Sequence, residues 1–389
     1  MRILILHNQY KQHGGEDTVV ESEKTLLQTQ GHEVEALFFS NQILASFWDK
    51  VRIVPKMFYN RQAAQEVRQK IQRFQPDVLH VHNIFNVASP AVLIEAQKLN
   101  VPVVMTLHNY RLLCLNGLFL RKNHICELCR YQMLALSGIK YGCLGNSRLK
   151  SAQLAIVIAW HRYAHTWQKY VNKYIALTNF AKQIFVNSSL QIPENQIIVK
   201  PNFVPAQPRL PAKERQNYFL FVGRLSPEKG VLTAIEASLQ TQIPLHIIGE
   251  GELQSKVEQF AQKHDFIRYF GAKPKAEVIA QMQHALALVF PSIWYEGMPM
   301  TILEALSCGT PVIASNLESI AEVLTPLFKD YLFAPHQAQE LAQKMLFLQN
   351  QTAQLQEQIS QTAYEVYQKH YSAQKNYEQL LAIYQEVQK

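Results

Sequence analysis

Glycine, cysteine and charged residues are all sparse in this sequence of 389 residues. It contains 14 glycines and five cysteines, and 17% of its residues are charged against 48% that are hydrophobic. So little glycine excludes a collagen-like repeat, and five cysteines are too few for a secreted disulfide scaffold. The hydrophobic fraction excludes wholesale disorder. We therefore expect packed globular domains, and the length predicts two or three of them.

Long apolar runs are missing as well. The N-terminal run Ile3–Leu6 ends at His7, so it is too short for the hydrophobic region of a signal peptide, and no small-residue cleavage site follows it. The best membrane candidate, Leu154–Trp160, falls far short of the about 20 residues that span a bilayer. We expect a cytoplasmic protein that crosses no membrane but can lie on the inner face of one.

The basic residues outnumber the acidic ones, and the excess lies in the first half of the chain. Residues 1–200 hold 23 Lys and Arg against 12 Asp and Glu, whereas residues 201–389 hold 15 against 18. Between Glu95 and Glu194 the only acidic residue is Glu127. A nucleic-acid-binding protein would explain this charge, but no recognition motif or stacking platform for nucleic acid is present. The basic stretch therefore points to an anionic acceptor or membrane surface.

Short apolar runs alternate with helical patterns on both sides of a proline-rich segment at residues 200–211, which we interpret as a linker. Continuous apolar strands separated by helices are typical of parallel sheets covered on both faces. The sequence therefore predicts two doubly wound α/β domains, residues 1–200 and 201–369, with helical periodicity from about Ala338 onwards. The predicted strands are Ile3–Leu6, Val34–Phe38, Val78–Val81, Val101–Leu107, Tyr174–Leu177, Tyr218–Val222, Leu245–Ile248, Ala287–Phe290 and Pro311–Ala314.

Two common nucleotide-binding motifs are missing. No Walker A motif is present, which argues against a P-loop ATPase, and no G-x-G-x-x-G follows the first strand. Instead, Gly14 and Gly15 precede a helix predicted around Thr18–Gln30, where backbone N–H groups can approach an anion. A plain strand-to-helix turn is the alternative. Gly249, after the strand Leu245–Ile248, gives a similar weak signal.

Two cations and two carboxylates in the second half form the sharpest pattern. Gly223, Arg224 and Lys229 follow a predicted strand, at the edge where open α/β sheets bind ligands, so the two cations can neutralise a diphosphate. Glu296 precedes a Gly-Met-Pro turn and Glu304 lies eight residues later in a helix. Carboxylates accept paired hydrogen bonds from sugar diols. The alternative is an ordinary charged surface, although an unpaired Glu304 buried in its apolar helix would be costly.

These motifs, taken together and in this order, resemble the GT-B-fold retaining glycosyltransferases of family 4. The resemblance covers nearly the whole chain and is most specific at the E-x7-E element with its flanking Gly-Met-Pro and Cys-Gly-Thr-Pro-Val. It implies two Rossmann-like domains facing across a cleft, the first binding the acceptor and the second the nucleotide sugar. It also implies that the last helix, about residues 370–389, packs back on the first domain. The matching motifs are His13-Gly14-Gly15, Val81-His82-Asn83, Thr106-Leu107-His108, Pro201-Asn202, Gly223-Arg224, Lys229-Gly230 and Glu296-x7-Glu304.

The resemblance further implies roles for individual residues. Arg224 and Lys229 would clamp the diphosphate and stabilise the leaving nucleotide, and Glu296 would stabilise positive charge near the anomeric carbon. His108 would be the acceptor-side polar group near the reaction centre, with a structural histidine as the alternative. The other residues implied at the donor site are Gly14 and Gly15 at the distal phosphate, Asn202 in the nucleotide pocket, Glu304 on the ribose hydroxyls, Gly223 and Gly249 at strand ends, and Gly297, Met298, Pro299 and Met300 along the sugar and phosphate.

Such enzymes transfer a sugar from a nucleotide diphosphate sugar, UDP- or GDP-linked, to a glycan or lipid-linked acceptor, with retention of configuration and without a required metal. We therefore expect a hexosyltransferase-type enzyme of surface polysaccharide or glycolipid synthesis. A sugar-nucleotide epimerase of similar two-domain fold is the alternative enzyme. The E-x7-E element downstream of Arg224 and Lys229 favours the transferase.

Two features of the basic stretch are not part of these motifs. Cys114, Cys126, Cys129 and Cys143 lie close in sequence, so they can form a structural zinc site, although free thiols or a redox pair are alternatives. A second set recurs at helical spacing among basic residues. These large apolar residues either pack one face of a helix on its own domain or form a basic aromatic surface. Such a surface would lie on anionic lipid and present a lipid-linked acceptor. That set is Leu149, Ile156, Trp160, Tyr163, Trp167 and Tyr170.

Overall fold

A computed structural model describes residues 1–9, 14–40, 55–85, 87–324 and 328–388. The chain divides into two compact units. Unit 1 comprises Met1–Phe119, Glu127–Asn202 and Asn376–Lys389, and unit 2 comprises Leu120–Cys126 and Phe203–Lys375. The break after Asn202 falls close to the predicted border at residue 200. Residues 120–126 belong to unit 2, whereas the sequence placed them in the first domain.

Strands and helices alternate through both units, as the hydrophobic pattern predicts. The strands are β1 (Arg2–Gln9), β2 (Glu33–Ser40), β3 (Val78–Asn83), β4 (Val103–Leu107), β5 (Leu120–Arg121), β6 (His124–Ile125), β7 (Lys173–Ala176), β8 (Ile197–Val199), β9 (Phe219–Val222), β10 (Leu245–Ile248), β11 (Ile267–Tyr269), β12 (Ala287–Phe290), β13 (Val312–Ser315) and β14 (Leu332–Phe333).

The principal helices are α1 (Gly15–Thr29), α2 (Arg61–Phe74), α3 (Ala91–Lys98), α4 (Leu136–Lys140), α5 (Arg148–Tyr163), α6 (Thr166–Tyr170), α7 (Asn179–Val186), α8 (Val231–Thr241), α9 (Gln254–Lys263), α10 (Lys275–His284), α11 (Met300–Ser307), α12 (Glu318–Leu324), α13 (Ala338–Gln349), α14 (Ala353–His370) and α15 (Ala373–Val387). Of the helices in the described part of the chain, none is both long and apolar enough to cross a membrane.

Each unit is built on a six-stranded sheet whose neighbouring strands all pair in parallel. The strand order is β2-β1-β3-β4-β7-β8 in unit 1 and β11-β10-β9-β12-β13-β14 in unit 2. The strand order reverses direction between β1 and β3 and again between β9 and β12. In open α/β sheets ligands bind at the carboxyl ends of the strands beside such a reversal. The fold therefore points to one candidate edge in each unit.

The last helix belongs to the core of unit 1. Leu380, Ile383 and Tyr384 on α15 pack with Ile3 and Ile5 of β1 in one buried cluster. The helices α1 and α15 thus cover apolar strands that water would otherwise reach, and this burial is the main term that stabilises such a layer. In this structure α15 is thus part of the layer that covers the sheet of unit 1.

The hydrophobic pattern did not predict the shortest strands, and one helix starts earlier than predicted. The strands β8, β11 and β14 have two or three residues each and carry too little pattern to stand out. The hairpin of β5 and β6 is equally short and antiparallel. Helix α1 begins at Gly15 rather than at Thr18, because Gly14 already serves as its N-cap.

Candidate active site

In unit 2, an ion pair lies where the loops after β9 and β12 meet. The Lys229 ammonium is 2.7 Å from Oε1 of Glu296, and the Ser292 hydroxyl donates to the same oxygen at 2.7 Å. Lys229 also lies over the rings of Phe290 and Trp294, 5.7 and 5.3 Å from their centroids. The Lys229 side chain keeps 21% of its surface exposed, whereas Glu296 keeps 6%. The cation is therefore held firmly but is still accessible to an anion.

Arg224, the other predicted clamp residue, lies in a more open environment. Its side chain is 61% exposed and pairs with the Glu228 carboxylate at 2.8 Å. Glu228 was not predicted, although it precedes Lys229 in the sequence. Its backbone oxygen accepts hydrogen bonds from the Ser292 hydroxyl and the Ile293 amide, at 3.2 and 2.9 Å. These bonds tie the loop after β9 to the loop after β12, so Glu228 organises the edge on which both cations lie.

Glycines let the backbones at this edge approach closely. Gly230 has φ +70°, and a Cβ there would lie 1.9 Å from the Pro291 carbonyl oxygen. Gly249 has φ +142°, and its Cβ would lie 1.9 Å from the carbonyl oxygen of Gly223. Gly223 and Gly249 follow the paired strands β9 and β10, so the two predicted glycines do lie together. No larger residue fits these two backbone conformations and contacts.

Glu304 lies on α11, apart from the Lys229 pair. It is 8% exposed and forms a salt bridge with Lys275, the first residue of α10. Burial raises the pKa of the Glu304 carboxyl, and the nearby Lys275 ammonium opposes that shift. Lys275 was not predicted, because the rest of helix α10, strand β12 and a loop separate it from Glu304 along the chain. The turn that carries the other predicted donor residues, Gly297, Met298, Pro299 and Met300, joins Glu296 to the start of α11.

The glycine pair of unit 1 lies at the start of α1. Gly14 is the N-cap, and its amide donates to Oδ2 of Asp17 at 2.8 Å. The other carboxylate oxygen of Asp17 is 2.8 Å from Nε2 of His7. In this structure the Gly14 N–H is therefore occupied by a carboxylate of its own helix. Gly15 is the first helical residue rather than part of a preceding turn.

His108 follows β4 and contacts a second histidine. Its Nε2 is 2.9 Å from Nδ1 of His82, and the two rings are stacked with centroids 5.2 Å apart. Burial and neighbouring cations hold the pKa of both imidazoles well below the usual value, so both are neutral at pH 7. His82, which the sequence singled out only within the motif Val81-His82-Asn83, is thus a direct partner of His108.

Behind these two histidines lies a buried polar cluster. Glu23 on α1 and Lys200 after β8 form an ion pair of 2.5 Å, and both are at most 1% exposed. Both ring nitrogens of His80 are occupied, Nδ1 by the Tyr384 hydroxyl at 2.7 Å and Nε2 by the Thr106 hydroxyl at 2.8 Å. The sequence did not reveal this cluster, because its members come from α1, β3, β4, β8 and α15.

A structural zinc site was one of the alternatives for the cysteines, and the structure does not support it. Among the described residues of unit 1, Cys114, Cys129 and Cys143 form no group with ligand atoms at metal-binding distance, and Cys126 belongs to unit 2. Cys129 and Cys143 instead pack in an apolar cluster. The group that is close enough is Glu23, His80 and His82. There the Lys200 ammonium already neutralises the carboxylate and would repel a cation.

The aromatic stripe on α5 points to solvent, so of the two alternatives for this face the buried one is wrong. Leu149, Ile156, Trp160 and Tyr163 are 70, 53, 55 and 77% exposed. The buried face of α5 is formed by smaller apolar residues and two polar ones, namely Ser151, Leu154, Ala155, Val157, Ile158, His161 and Arg162. Trp167, on the separate helix α6, is buried. Asn202, predicted in the nucleotide pocket, is buried at the end of unit 1.

Two doubly wound parallel-sheet units are the architecture that the GT-B class of glycosyltransferases has. The sequence pattern of Glycosyltransferase Family 4 matches residues 13–207, and that of Glycosyl transferases group 1 matches residues 205–366. The chain belongs to the family 4, group 1 glycosyltransferases. Because of this membership, the chain is a glycosyltransferase and not a sugar-nucleotide epimerase or a nucleic-acid-binding protein.

Several known proteins are similar to parts or all of this chain. An uncharacterised glycosyltransferase of Methanocaldococcus jannaschii is 33% identical over 136 residues, which cover 34% of this chain and 38% of that protein. The O-antigen chain mannosyltransferase B of Escherichia coli is 28% identical over 151 residues, covering 34% of this chain and 39% of that protein. The chain thus spans about two fifths of the length of these relatives.

Solved structures match over the full length. A glycosyltransferase from Rickettsia africae superposes with a TM-score of 0.69 at 18% identity, covering 100% of this chain and 98% of that one. HepE of Anabaena, solved in complex with UDP, superposes with a TM-score of 0.66 at 17% identity, covering 99% of this chain and 100% of that one. At such low identity the likeness establishes the GT-B fold.

Proposed function

We propose that this protein transfers a sugar from a UDP- or GDP-linked donor to a glycan or lipid-linked acceptor, with retention of configuration, in surface polysaccharide or glycolipid synthesis. The observation that carries the proposal is the Lys229–Glu296 pair at the strand reversal of unit 2. A partly exposed ammonium over two aromatic rings suits a diphosphate, which Lys229 and Arg224 would neutralise without a metal.

The remaining donor contacts follow from the same edge. Glu304 would accept hydrogen bonds from the ribose hydroxyls in exchange for its contact with Lys275. The backbone from Gly297 to Met300, with Gly223 and Gly249, would line the sugar and the phosphates. In unit 1, Gly14 and Gly15 would approach the distal phosphate after Asp17 turns away, Asn202 would line the nucleotide pocket, and His108 would bind the transferred sugar or the acceptor.

Two similar proteins support a nucleotide-linked donor and a role in polysaccharide synthesis. HepE binds UDP in its solved structure, and the Escherichia coli relative is a mannosyltransferase of the O-antigen chain. Both facts concern those proteins, and they motivate a direct test here. Calorimetry with UDP, GDP, UDP-glucose and GDP-mannose should find one base that binds. Proton NMR of the product anomeric centre should then show the configuration of the donor. An enzyme that binds none of these ligands would contradict the proposal.

We also propose that unit 1 rests on an anionic membrane surface through the region 128–163. Nine of its large apolar side chains are more than a third exposed, and Lys140, Arg148 and Lys150 lie among them. Apolar side chains with interspersed basic residues suit the interface of an anionic bilayer. The nine are Leu128, Tyr131, Met133, Leu136, Tyr141, Leu149, Ile156, Trp160 and Tyr163.

Sedimentation with vesicles containing phosphatidylglycerol tests this surface. The double variant Trp160→Ser/Tyr163→Ser should lower the bound fraction at least tenfold, because two amphipathic rings leave the interface. Leu346→Ser/Phe347→Ser removes two exposed apolar side chains from α13 of unit 2 and serves as the matched control. Equal loss in both double variants, or binding that salt does not weaken, would contradict the proposed surface.

A further inference from the structure

The buried Glu23–Lys200 pair reaches the neighbourhood of His108 through His82. Glu23 uses Oε1 for Lys200, and its Oε2 lies 3.5 Å from Nε2 of His82. Within the part of the chain that the structure describes, neither Oε2 of Glu23 nor Nε2 of His82 has a hydrogen-bond partner. The two atoms thus face each other in a site without solvent, where electrostatic interactions are strong.

This contact decides which nitrogen of His82 carries the proton. A carboxylate oxygen attracts an N–H group and repels a bare nitrogen lone pair, so the proton of the neutral imidazole lies on Nε2. His82 stays neutral because burial and the neighbouring histidines hold its pKa well below the usual value. With one proton on Nε2, its Nδ1 is bare and can only accept a hydrogen bond.

The donor to Nδ1 of His82 is Nε2 of His108, at 2.9 Å. Neutral His108 therefore carries its single proton on Nε2, which leaves Nδ1 as a bare acceptor. In the described part of the chain Nδ1 of His108 makes no hydrogen bond, and the residue is only half-buried. An acceptor in this position selects for a ligand group that donates, such as a sugar hydroxyl.

We propose that Glu23, Lys200 and His82 are positioning residues that fix His108 in its Nε2–H tautomer, so that His108 binds a sugar hydroxyl through Nδ1. The tautomer stands on the contacts of unit 1 alone. The sugar hydroxyl rests on the proposed function. His108 thus distinguishes a hydroxyl, which donates, from a phosphate or carbonyl oxygen, which does not.

Nitrogen NMR of protein labelled with ¹⁵N-histidine tests the tautomer without any ligand, because protonated and bare ring nitrogens resonate far apart. The His108→Asn variant assigns the His108 signals. At pH 7.5 the wild-type protein should show His108 protonated at Nε2. In His82→Asn the amide oxygen can replace Nδ1 as acceptor, so the tautomer should persist. In His82→Gln the amide lies at the Nε2 position, so the preference should be lost.

The Glu23→Gln variant tests the origin of the effect. It should shift His108 towards a mixture of tautomers, because the negative charge that orients His82 is gone. Glu95→Gln is the matched control, since Glu95 is equally buried in unit 1 and paired with Arg68 and Lys98, but contacts no histidine. Wild-type His108 protonated at Nδ1, or the same tautomer in His82→Asn and His82→Gln, would overturn the proposal.

A second measurement separates this proposal from the proposed function. With UDP-glucose or GDP-mannose, whichever the protein accepts, His82→Gln should lower kcat/KM at least tenfold while the Kd of the bare nucleotide diphosphate stays the same. His82→Asn should recover most of the activity. If the tautomers behave as expected and no sugar nucleotide reacts, the proposed function fails and the positioning role stands. If activity is unaffected by His82→Gln, the role of Nδ1 fails.

Discussion

At the scale of single residues, Glu296 and Glu304 show how two carboxylates eight positions apart acquire different surroundings. Glu296 accepts hydrogen bonds from the Lys229 ammonium and the Ser292 hydroxyl at the same edge of the unit 2 sheet. Glu304 is paired with Lys275 from the neighbouring helix, and burial raises the pKa of its carboxyl. The first carboxylate is thus held beside a cation that suits a phosphate. The second can exchange its lysine for neutral hydroxyls.

Replacing Lys229 should weaken nucleotide binding. In Lys229→Met the diphosphate loses a charge-assisted contact of about 1.5–3 kcal/mol, which corresponds to roughly a tenfold or greater rise in Kd. Calorimetry with the preferred nucleotide diphosphate measures the change. Lys256→Met removes an exposed lysine from α9 of the same unit and should leave Kd unchanged. Unaltered affinity in Lys229→Met would show that the phosphates bind elsewhere.

Replacing Glu304 should remove discrimination for the ribose. The wild-type protein should bind UDP or GDP about tenfold more tightly than the 2′,3′-dideoxy analogue, because a carboxylate accepts hydrogen bonds from both hydroxyls. In Glu304→Ala this ratio should fall close to one. The exposed Glu236 on α8 offers a control, Glu236→Ala, in which the ratio should persist. A ratio that is the same in all three proteins would exclude Glu304 from the ribose site.

At the scale of elements, the loops after parallel strands place the functional groups. Lys229 follows β9 and Glu296 follows β12, and these two strands pair directly although 60-odd residues separate them in sequence. The close approach of Gly230 to Pro291 allows the two loops to meet. A side chain at that glycine would push apart the loops that hold the ion pair.

Alanine at Gly230 should destabilise unit 2 strongly. Its Cβ would lie 1.9 Å from a backbone oxygen, in addition to the strain of φ +70°. Gly271→Ala is a matched control, because Gly271 has φ +68° but a new Cβ there would make only an ordinary contact, 3.9 Å from the Tyr269 hydroxyl. Urea unfolding should show a loss of about 1–2 kcal/mol for Gly271→Ala and about 2 kcal/mol more for Gly230→Ala. Equal losses would mean that the Pro291 contact is not rigid.

At the scale of the whole molecule, the two units differ in the ionisable side chains that they bury. Unit 1 buries neutral histidines around the Glu23–Lys200 pair, whereas in unit 2 the Lys229–Glu296 pair lies at the strand reversal and is partly exposed. Burial lowers the pKa of His80 and of His161 to about 4. In the unfolded chain both histidines regain a pKa near 6.5. The stability of unit 1 should therefore respond to mild acid.

The free energy of unfolding of unit 1 should fall as the pH drops from about 6.5 to 4. Over this interval the two histidines bind protons in the unfolded chain but stay neutral in the folded chain, so acid favours unfolding. A pKa lowered from 6.5 to about 4 corresponds to about 3 kcal/mol for each histidine. Urea unfolding followed by tryptophan fluorescence measures the dependence on pH, and His161→Gln should reduce it. A constant midpoint between pH 7 and 5 would contradict the expectation.

Much of the fold was predictable because parallel sheets leave a simple pattern. Strands buried on both faces consist of continuous apolar residues, and nine such runs were recognised, although Val101–Leu107 begins two residues before β4. The strands β8, β11 and β14 were missed because two or three residues are too few to form a pattern. On α5 the pattern left a buried and an exposed stripe as alternatives, since spacing alone does not tell one from the other, and the structure shows the exposed one.

The sequence by itself determined the two α/β domains and the family, and it singled out Arg224, Lys229, Glu296 and Glu304 as candidate site residues, because each lies in a short motif whose spacing is local. Only the tertiary structure decided which partners these residues have. Glu23 meets Lys200 across 177 positions, and His80 meets Tyr384 across 304. A buried charge or imidazole needs a partner wherever the fold brings one, and that place is set by strand order and helix packing rather than by spacing along the chain.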